Sequence, residues 1–198
     1  MKKDNQTKSP INVGEDLKPS QTLSIVWKSF LPKSKILDLG CGAGVDSLFL
    51  AQNNFLVTAV DHSAPAIREL KKFDYKNLEV ILDDIRSFSI TKSSYDVVIC
   101  RNVLNFIDKK DANKKIEEII TNISKGSYVI IEVFTNNDPS FLGENRFACY
   151  FEEQELLKIF SSFKILYYLE NMILDQGHPG FPAPHRHGVA RIIAQKLN

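Results

Sequence analysis

The sequence predicts an α/β protein in which a mostly parallel β-sheet is covered by helices on both faces. Short apolar runs alternate with segments of helical periodicity from residue 35 onward. Runs such as Val97–Cys100 contain no polar residue, as expected for strands that are buried on both faces. No internal repeat or linker interrupts this pattern. We therefore expect one domain over residues 19–198, preceded by a flexible amino-terminal arm over residues 1–18.

The individual elements follow from the apolar spacing and from the turn residues between them. Strands are predicted at Lys35–Leu39, Phe55–Val60, Leu78–Leu82, Tyr95–Cys100, Tyr128–Phe134, Phe163–Leu169 and Val189–Lys196. Helices are predicted over residues 19–31, 45–53, 63–73, 111–123 and 152–160. Ser63 and Asp111 are the predicted caps of the third and fourth helices. Between the last two strands, Leu174–Gly188 is predicted to be a loop rich in proline, glycine and histidine.

The composition is that of a globular protein with no marked charge preference. Hydrophobic residues make up 43% of the 198 residues, which is enough for a buried core. The 25 basic and 24 acidic residues nearly cancel, whereas a domain that binds a phosphate backbone usually has a basic excess, so we expect no nucleic-acid partner. Three scattered cysteines, no signal peptide and no apolar run of ~20 residues predict a cytoplasmic protein without a membrane partner.

A glycine-rich turn follows the first predicted strand. Gly40, Gly42 and Gly44 alternate with other residues, Cys41 lies between the first two, and Asp38 precedes them in the strand. Glycine lets a ligand approach the backbone closely and adopts positive φ without strain. The dinucleotide fingerprint has the different spacing G-x-G-x-x-G, and the Asp38 carboxylate would repel a pyrophosphate. The turn therefore predicts a site for S-adenosylmethionine (SAM), in which Asp38 holds the ammonium group directly or through water.

An acidic residue also ends the second predicted strand. Asp61 lies 21 residues after Gly40, close to the spacing of about 20 residues at which an acid binds ribose hydroxyls in nucleotide-binding folds. One carboxylate can accept hydrogen bonds from two neighbouring hydroxyls. His62 is the next residue and is placed to lie against an adenine ring. We expect Asp61 and His62 to bind the nucleoside part of SAM.

The third and fourth predicted strands end in further candidate ligands. Asp84, or alternatively Asp83, is predicted to contact the adenine amino group, and Ile85 to offer a backbone N–H to a ring nitrogen. Arg101 ends the fourth strand, where backbone groups would meet the methionine end of SAM. The carboxyl ends of parallel strands share one edge of a sheet. All of these residues are therefore expected where open α/β sheets bind ligands.

Together these motifs resemble those of the class I SAM-dependent methyltransferases, over about residues 20–198. The resemblance implies a Rossmann-like sheet with an antiparallel last strand, SAM as cofactor and S-adenosylhomocysteine as product. Within that class, Leu37–Gly44, Val57–Asp61 and Tyr95–Ile99 are most similar to the tellurite-resistance methyltransferase family. The dipeptide Val45-Asp46 departs from the pattern, because that family tends to have arginine and asparagine there. The resemblance does not fix the substrate, but it suggests a soft nucleophile such as a thiol or a chalcogen oxyanion as the acceptor.

In the fold that this chain resembles, the predicted loop Leu174–Gly188 would overhang the methyl group of SAM. His178, His185 and Arg186 are the candidate catalytic residues in this loop, because cationic groups would hold an anionic acceptor and a histidine can remove a proton near neutral pH. The alternative is that these residues hydrogen-bond the loop to itself as a lid. A zinc site made of His178, His185 and His187 is disfavoured because the spacing fits no standard site, so no metal is predicted.

The predicted function is methyl transfer from SAM to a small molecule. The Asn/Asp-Pro-Pro-Tyr/Phe motif, common in methyltransferases that act on base amino groups or protein glutamine, is absent after the fourth strand. A non-catalytic SAM-binding regulator is the alternative, because its cofactor motifs would be the same. An NAD-dependent oxidoreductase is less favoured, because its glycine fingerprint is missing. The identity of the acceptor and the oligomeric state stay open.

Overall fold

The chain folds into one seven-stranded sheet with helices on both faces. In the computed structural model, the described residues are 17–141, 146–177 and 182–197. The predicted flexible arm, residues 1–18, lies outside these ranges except for its last two residues. Within the described ranges, the helices are too short and too polar to cross a bilayer.

The helices and strands alternate along the chain as the apolar spacing predicts. The strands are β1 Lys35–Leu39, β2 Leu56–Asp61, β3 Leu78–Leu82, β4 Val97–Arg101, β5 Tyr128–Phe134, β6 Phe163–Asp175 and β7 His185–Lys196. The helices are α1 Gln21–Val26, α2 Val45–Gln52, α3 Ala64–Leu70, α4 Lys109–Asn122 and α5 Glu155–Ile159, with short 3-10 turns at Trp27–Ser29 and Leu104–Phe106.

The strand order is β3-β2-β1-β4-β5-β7-β6, and the predicted mostly parallel sheet with an antiparallel last strand is confirmed. β1 to β5 pair in parallel, whereas β7 runs antiparallel to both of its neighbours, β5 and β6. The order reverses between β1 and β4, because the chain moves outward to β3 before it returns to β4. This reversal is a topological switch point, where open α/β sheets leave a crevice at the carboxyl ends of the strands.

Two hydrophobic layers enclose the sheet. On one face, Leu23 of α1 and Phe49 of α2 are buried against Ile99 and Ile130 of the central strands. The opposite layer contains apolar residues of α4 and α5 together with the alternate residues of the same strands, such as Val98. Because successive residues of a strand point to opposite faces, the central strands fill both layers and are apolar throughout.

Several helix bounds differ from the predicted ones. α4 begins at Lys109 and is capped by Asp108, whose side chain accepts a hydrogen bond from Asp111 N at 2.8 Å, so the predicted cap at Asp111 is wrong. Asp108 and Asp111 are both acceptable cap residues, and the lysines between them extend the helix. The predicted cap Ser63 is confirmed, with Ala66 N as its donor. α1 and α5 are shorter than predicted.

The largest difference from the predicted elements is at the carboxyl-terminal hairpin. β6 continues to Asp175 and β7 already begins at His185, so both ends of the predicted loop Leu174–Gly188 are paired strand. The pairing Leu174↔Arg186 lies inside the ladder. Backbone hydrogen bonds can pair two strands whatever side chains they carry. The strands therefore continue beyond the point where the apolar pattern ends. Only residues 176–184 connect them.

Candidate cofactor and acceptor site

The glycine turn after β1 has a backbone that other residues cannot adopt easily. Gly40, Gly42 and Gly44 have φ values of 71°, 53° and 78°. A Cβ at Gly40 would lie 2.4 Å from the side chain of Val103, and one at Gly44 would lie 2.4 Å from that of Leu70. Glycine is therefore required at Gly40 and Gly44 for packing, as well as for backbone geometry.

Gly42 differs from the other two glycines because no atom lies within 4 Å of the position that its Cβ would take. Its backbone N–H donates to Asp61 Oδ2 at 2.8 Å, and Ser63 N donates to Asp61 Oδ1 at 2.8 Å. Each oxygen of this buried carboxylate keeps a lone pair for another donor. His62 is exposed and its Nδ1 lies 3.6 Å from Asp61 Oδ1. The structure thus brings Gly42, Asp61 and His62 together beside open space.

Cys41 completes the turn through its backbone. Its N–H donates to Val60 O at 3.0 Å, next to the 2.8 Å bond from Gly40 N to the same oxygen. Burial, followed by the nearby carboxylates of Asp38 and Asp61, raises the pKa of the Cys41 thiol well above its usual value. The thiol therefore stays protonated and does not act as a nucleophile.

Asp38 lies buried under the turn. Ser47 Oγ of α2 donates to Asp38 Oδ2 at 2.5 Å. Burial raises the pKa of Asp38 to about 7, and the neighbouring Asp46 carboxylate adds to the rise, whereas Ser47 and the charge of Arg101 oppose it. Near neutral pH the Asp38 side chain is thus divided between its acid and its carboxylate. A cationic group beside it would favour the carboxylate.

The acids at the end of β3 already have partners within the chain. Arg86 Nη2 and Nε donate to Asp84 at 2.6 and 2.9 Å, and chiefly through this hydrogen bonding Arg86 lowers the pKa of Asp84 to about 2. Asp83 Oδ1 accepts from Ser87 Oγ at 2.6 Å. The side chain of Ile85 is buried in the core. Asp84 is ionised at any physiological pH, but Arg86 competes for it with any adenine amino group.

Arg101 contacts two carboxylates rather than open space. Arg101 Nη1 lies 2.7 Å from Asp46 Oδ2, and its Nε lies 3.2 Å from Glu132 Oε2. Glu132 also accepts from Thr22 Oγ1 at 3.0 Å and pairs with Arg191 at 3.1 Å. We call Asp46, Arg101, Glu132 and Arg191 the buried ion network. Burial alone would lower the pKa of Arg101, but Glu132 and Asp46 outweigh it and raise that pKa.

The buried ion network also holds α1 against the edge of the sheet. Ser20 N donates to Asp46 Oδ1 at 2.7 Å, and Arg191 Nη1 donates to Gln21 Oε1 at 2.9 Å. Trp27, after α1, packs edge-on against Phe49 at 5.0 Å between ring centroids. The prediction missed this network. The signal was present as Glu132 and Arg191, each a charged residue within an otherwise apolar run.

One buried polar atom at the switch point lacks a protein partner. Asn102 follows β4 with φ of 51°, and its backbone N–H donates to Glu132 O at 2.8 Å. Among the described residues, nothing hydrogen-bonds to its buried Oδ1. With the open space at Gly42 and the lone pairs of Asp61, this atom makes the edge fit a ligand that carries several donors. The hydroxyls and the ammonium group of SAM are such donors.

The predicted acceptor residues divide into three groups. His185 and His187 lie together, with 4.6 Å between ring centroids, and His187 is buried against Phe134 at 4.7 Å. Arg186 is exposed and, because strand residues alternate, lies on the opposite face of β7. His178 lies outside the described residues.

Asp138 is a residue of this region that the prediction missed. His187 Nδ1 lies 2.8 Å from Asp138 Oδ2, and both side chains are buried. Ser140 donates to Asp138 Oδ1 from both its backbone N and its Oγ, at 2.9 and 2.6 Å. No spacing signal links Asp138 to His187 in the sequence, since 49 residues separate them and only the pairing of β5 with β7 brings them together.

A cleft of about 650 Å³ lies elsewhere, between the start of α5 and β6. Its lining includes Glu153, Glu170 and Thr135 but none of the predicted site residues. The hydroxyl of Tyr168 donates to Glu170. Two acidic side chains line this cleft and, within the described part of the chain, no lysine or arginine does. The cleft is therefore a poor place for an anionic acceptor.

The strand order, the glycine turn and the acids at the strand ends define the class to which this chain belongs. Its fold is that of the class I SAM-dependent methyltransferases. The family model described as "Tellurite resistance protein TehB" matches residues 19–178. The chain therefore belongs to the TehB family, as the motifs predict.

Individual relatives agree with this assignment. The chain is 30% identical, over 143 residues, to the "Probable S-adenosyl-L-methionine-dependent methyltransferase TehB" of Haemophilus influenzae strain 10810, covering 70% of this chain and 49% of that protein. It thus spans about half the length of the curated TehB relatives it matches. The crystal structure of TehB from Haemophilus influenzae aligns with a TM-score of 0.77 at 27% identity, covering 88% of this chain and 61% of that one. A SAM-dependent methyltransferase from Methanosarcina mazei aligns with a TM-score of 0.69 at 23% identity, covering 87% and 97%.

Proposed function

We propose that this chain transfers the methyl group of SAM to a small-molecule acceptor. The observation that supports the proposal most directly is the open space at Gly42 beside the buried carboxylate of Asp61, at the switch point of the sheet. The opening and the free lone pairs of this carboxylate lie side by side, so that a ligand in the opening can donate to Asp61. Membership of the TehB family supports the same function.

Each predicted ligand has a place in this proposal. Asp38 would hold the ammonium group, and the backbone of Gly40–Gly44 would line the amino-acid part, with Arg101 contributing backbone only. Asp61 would bind the ribose hydroxyls. His62 would lie against the adenine, and Ile85 would offer its backbone N–H to a ring nitrogen. Asp84 or Asp83 would lie towards the adenine amino group. When bound, SAM supplies a methyl group on a sulfonium, which a nucleophile displaces in line.

The acceptor is proposed to lie at the same edge, beyond β5 and the start of β7. A soft anion such as a thiolate or a chalcogen oxyanion needs no general base, and holding it about 3–3.5 Å from the methyl carbon supplies most of the acceleration. His185 faces this region. Arg186 lies on the other face, so we propose that it attracts anionic acceptors at long range rather than contacting them.

The test is a turnover assay on the purified full chain with SAM. Thiols, tellurite, selenite and small phenols are offered separately, and S-adenosylhomocysteine formation is measured. The proposal expects turnover with at least one soft nucleophile and SAM binding by calorimetry. Tight binding without turnover on any acceptor would favour a SAM-binding regulator. No binding of SAM at all would overturn the proposal.

A further inference from the structure

The outer ends of β6 and β7 bring three metal-binding side chains together. Asp175 is paired with His185 across the two strands, and His187 lies two residues further along the same face of β7. Each of the three offers a ligand atom, and these atoms all lie within 4.8 Å of one another. Ligands that share one tetrahedral Zn²⁺ at about 2.0–2.1 Å are about 3.4 Å apart. Small side-chain rotations would therefore complete the site.

Hydrogen bonds fix which ring nitrogen of each histidine faces the cluster. His185 Nδ1 lies 2.9 Å from Ala183 O, and His187 Nδ1 lies 2.8 Å from Asp138 Oδ2. A carbonyl and a carboxylate are acceptors, so both Nδ1 atoms carry the proton, and Nε2 of each ring offers its lone pair. Asp175 is positioned too, because its Oδ1 accepts from Gly177 N at 2.7 Å.

Asp138 is the independent observation that favours a metal ligand. Metal-binding histidines almost always donate their other ring N–H to a carboxylate or carbonyl, which fixes the ring and raises its basicity. Asp138 does this for His187, and Gly188 N at 3.2 Å and Ser140 hold it in turn.

We propose that Asp175, His185 and His187 bind one divalent first-row transition metal ion, with Asp138 as the residue that positions His187. Two imidazoles and one carboxylate suit Zn²⁺, Fe²⁺ or Co²⁺ rather than Ca²⁺ or Mg²⁺, which favour oxygen ligands. Three protein ligands leave at least one coordination position for water or an exogenous anion. The binding of the ion does not depend on methyl transfer, so each can fail without the other.

The test titrates the chelator-treated full chain with ZnCl₂ in a calorimeter, without SAM. One ion per chain is expected. Asp138→Asn should weaken binding ~10–100-fold, and His187→Gln and Asp175→Asn by more than that. His62→Gln, which removes an exposed histidine at the other end of the edge, is the matched control and should leave Zn²⁺ affinity unchanged. Unchanged affinity in His185→Gln and His187→Gln, or a stoichiometry far below one, would overturn the proposal.

A second measurement needs no variant and therefore does not depend on whether the variants fold. Co²⁺ added to the wild-type chain should give the intense visible bands of a four- or five-coordinate ion with nitrogen ligands. One equivalent of Zn²⁺ should bleach them. A spectrum identical to that of hydrated Co²⁺ would contradict the site.

Discussion

The two halves of the carboxyl edge of the sheet, where we propose that ligands bind, are built in different ways. In the amino-terminal half, each candidate residue lies at the carboxyl end of a strand or just after it, and the turn Gly40–Gly44 supplies its own geometry. In the carboxyl-terminal half, Asp138, Asp175 and His187 come from three separate segments, and only the pairing of β5, β7 and β6 brings them together. The first half is thus encoded locally. The second half exists only in the folded protein.

The buried ion network lies where the two halves meet. Glu132 of β5 contacts Arg101 of β4 on one side and Arg191 of β7 on the other. Asp46 brings α2, directly after the glycine turn, into the same network. Substitutions in the buried ion network should therefore affect the fold as a whole, whereas the main effect of a substitution in either half should be on the ligand of that half.

The largest expected effect is the loss of stability when the buried ion network is broken. Glu132→Ala leaves the buried Arg191 and the partly exposed Arg101 without their shared carboxylate, and losing one partner of a buried ion pair costs about 3–5 kcal/mol. Urea unfolding followed by circular dichroism measures the change. The control is Glu79→Ala, an exposed residue of β3, which should change the free energy of unfolding by less than about 0.5 kcal/mol. If Glu132→Ala lowered the free energy of unfolding by less than about 1 kcal/mol, the buried ion network would not hold the two halves together.

The next effect is on the affinity for SAM, and a matched variant separates it from the effect on stability. Gly42→Ala places a methyl group in the open space that we assign to SAM, so SAM affinity should fall by about 100-fold or more. Gly126→Ala is a close match, since Gly126 also has positive φ, 84°, with nothing within 4 Å, but lies far along the chain from the turn. Both variants should lose about 1–2 kcal/mol of stability from backbone strain. If calorimetry showed equal SAM affinity in both, the site would be elsewhere.

A smaller effect distinguishes two acids of the amino-terminal half. Asp61→Asn should weaken SAM binding by about 10–100-fold, the value of a hydrogen bond to a charged group. Asp84→Asn should weaken it only a few-fold, because Arg86 already engages that carboxylate. Calorimetric titration of both variants tests this order, and the reverse order would make Asp84 the main ligand.

A pH effect is expected from Asp38 alone. Its pKa of about 7 in the free protein should fall when the ammonium group of SAM binds. SAM binding near pH 6 should therefore release up to one proton, and affinity should rise as the pH rises from 5 to 7.5. Titrations in buffers of different ionisation enthalpy count the proton, and Asp38→Asn should abolish it. Proton uptake instead of release would contradict the assignment.

The same raised pKa has a consequence for stability. A carboxyl group whose pKa is raised by folding stabilises the folded state below its unfolded pKa, and this stabilisation is lost as the pH rises through its folded pKa. The contribution of Asp38 should therefore decrease between about pH 4 and pH 7. The melting temperature of the free Asp38→Asn chain should lack this decrease. An identical pH profile for wild type and variant would exclude Asp38 as the cause.

The smallest effect belongs to Arg186. An exposed charge that acts at long range contributes about 1 kcal/mol or less, so Arg186→Ala should lower kcat/KM for an anionic acceptor by less than about fivefold, and added salt should reduce the difference. His185→Ala should have the larger effect. An Arg186 effect that is large and insensitive to salt would place its guanidinium in direct contact with the acceptor.

The same two halves differ in how well the sequence predicts them. The alternation of strands and helices along the chain, the glycine turn and the position of Asp61 are predictable because apolar runs and the turn are local signals. The ends of β6 and β7 are not, since their last pairs carry polar side chains and rely on backbone hydrogen bonds. The contact between Asp138 and His187 depends on that hairpin, and no spacing of residues in the sequence predicts it.

The β6–β7 hairpin extends beyond the end of the neighbouring β5–β7 ladder. The ladder between β5 and β7 ends at Phe134↔Val189, whereas β6 and β7 continue to pair as far as Asp175↔His185. The tip is consequently a two-stranded ribbon that contacts the end of β5, because Thr135 N donates to Gly188 O at 2.9 Å and His187 packs against Phe134. Grafting a different ribbon onto Val189 would be a direct route to a protein with the same cofactor and a new acceptor.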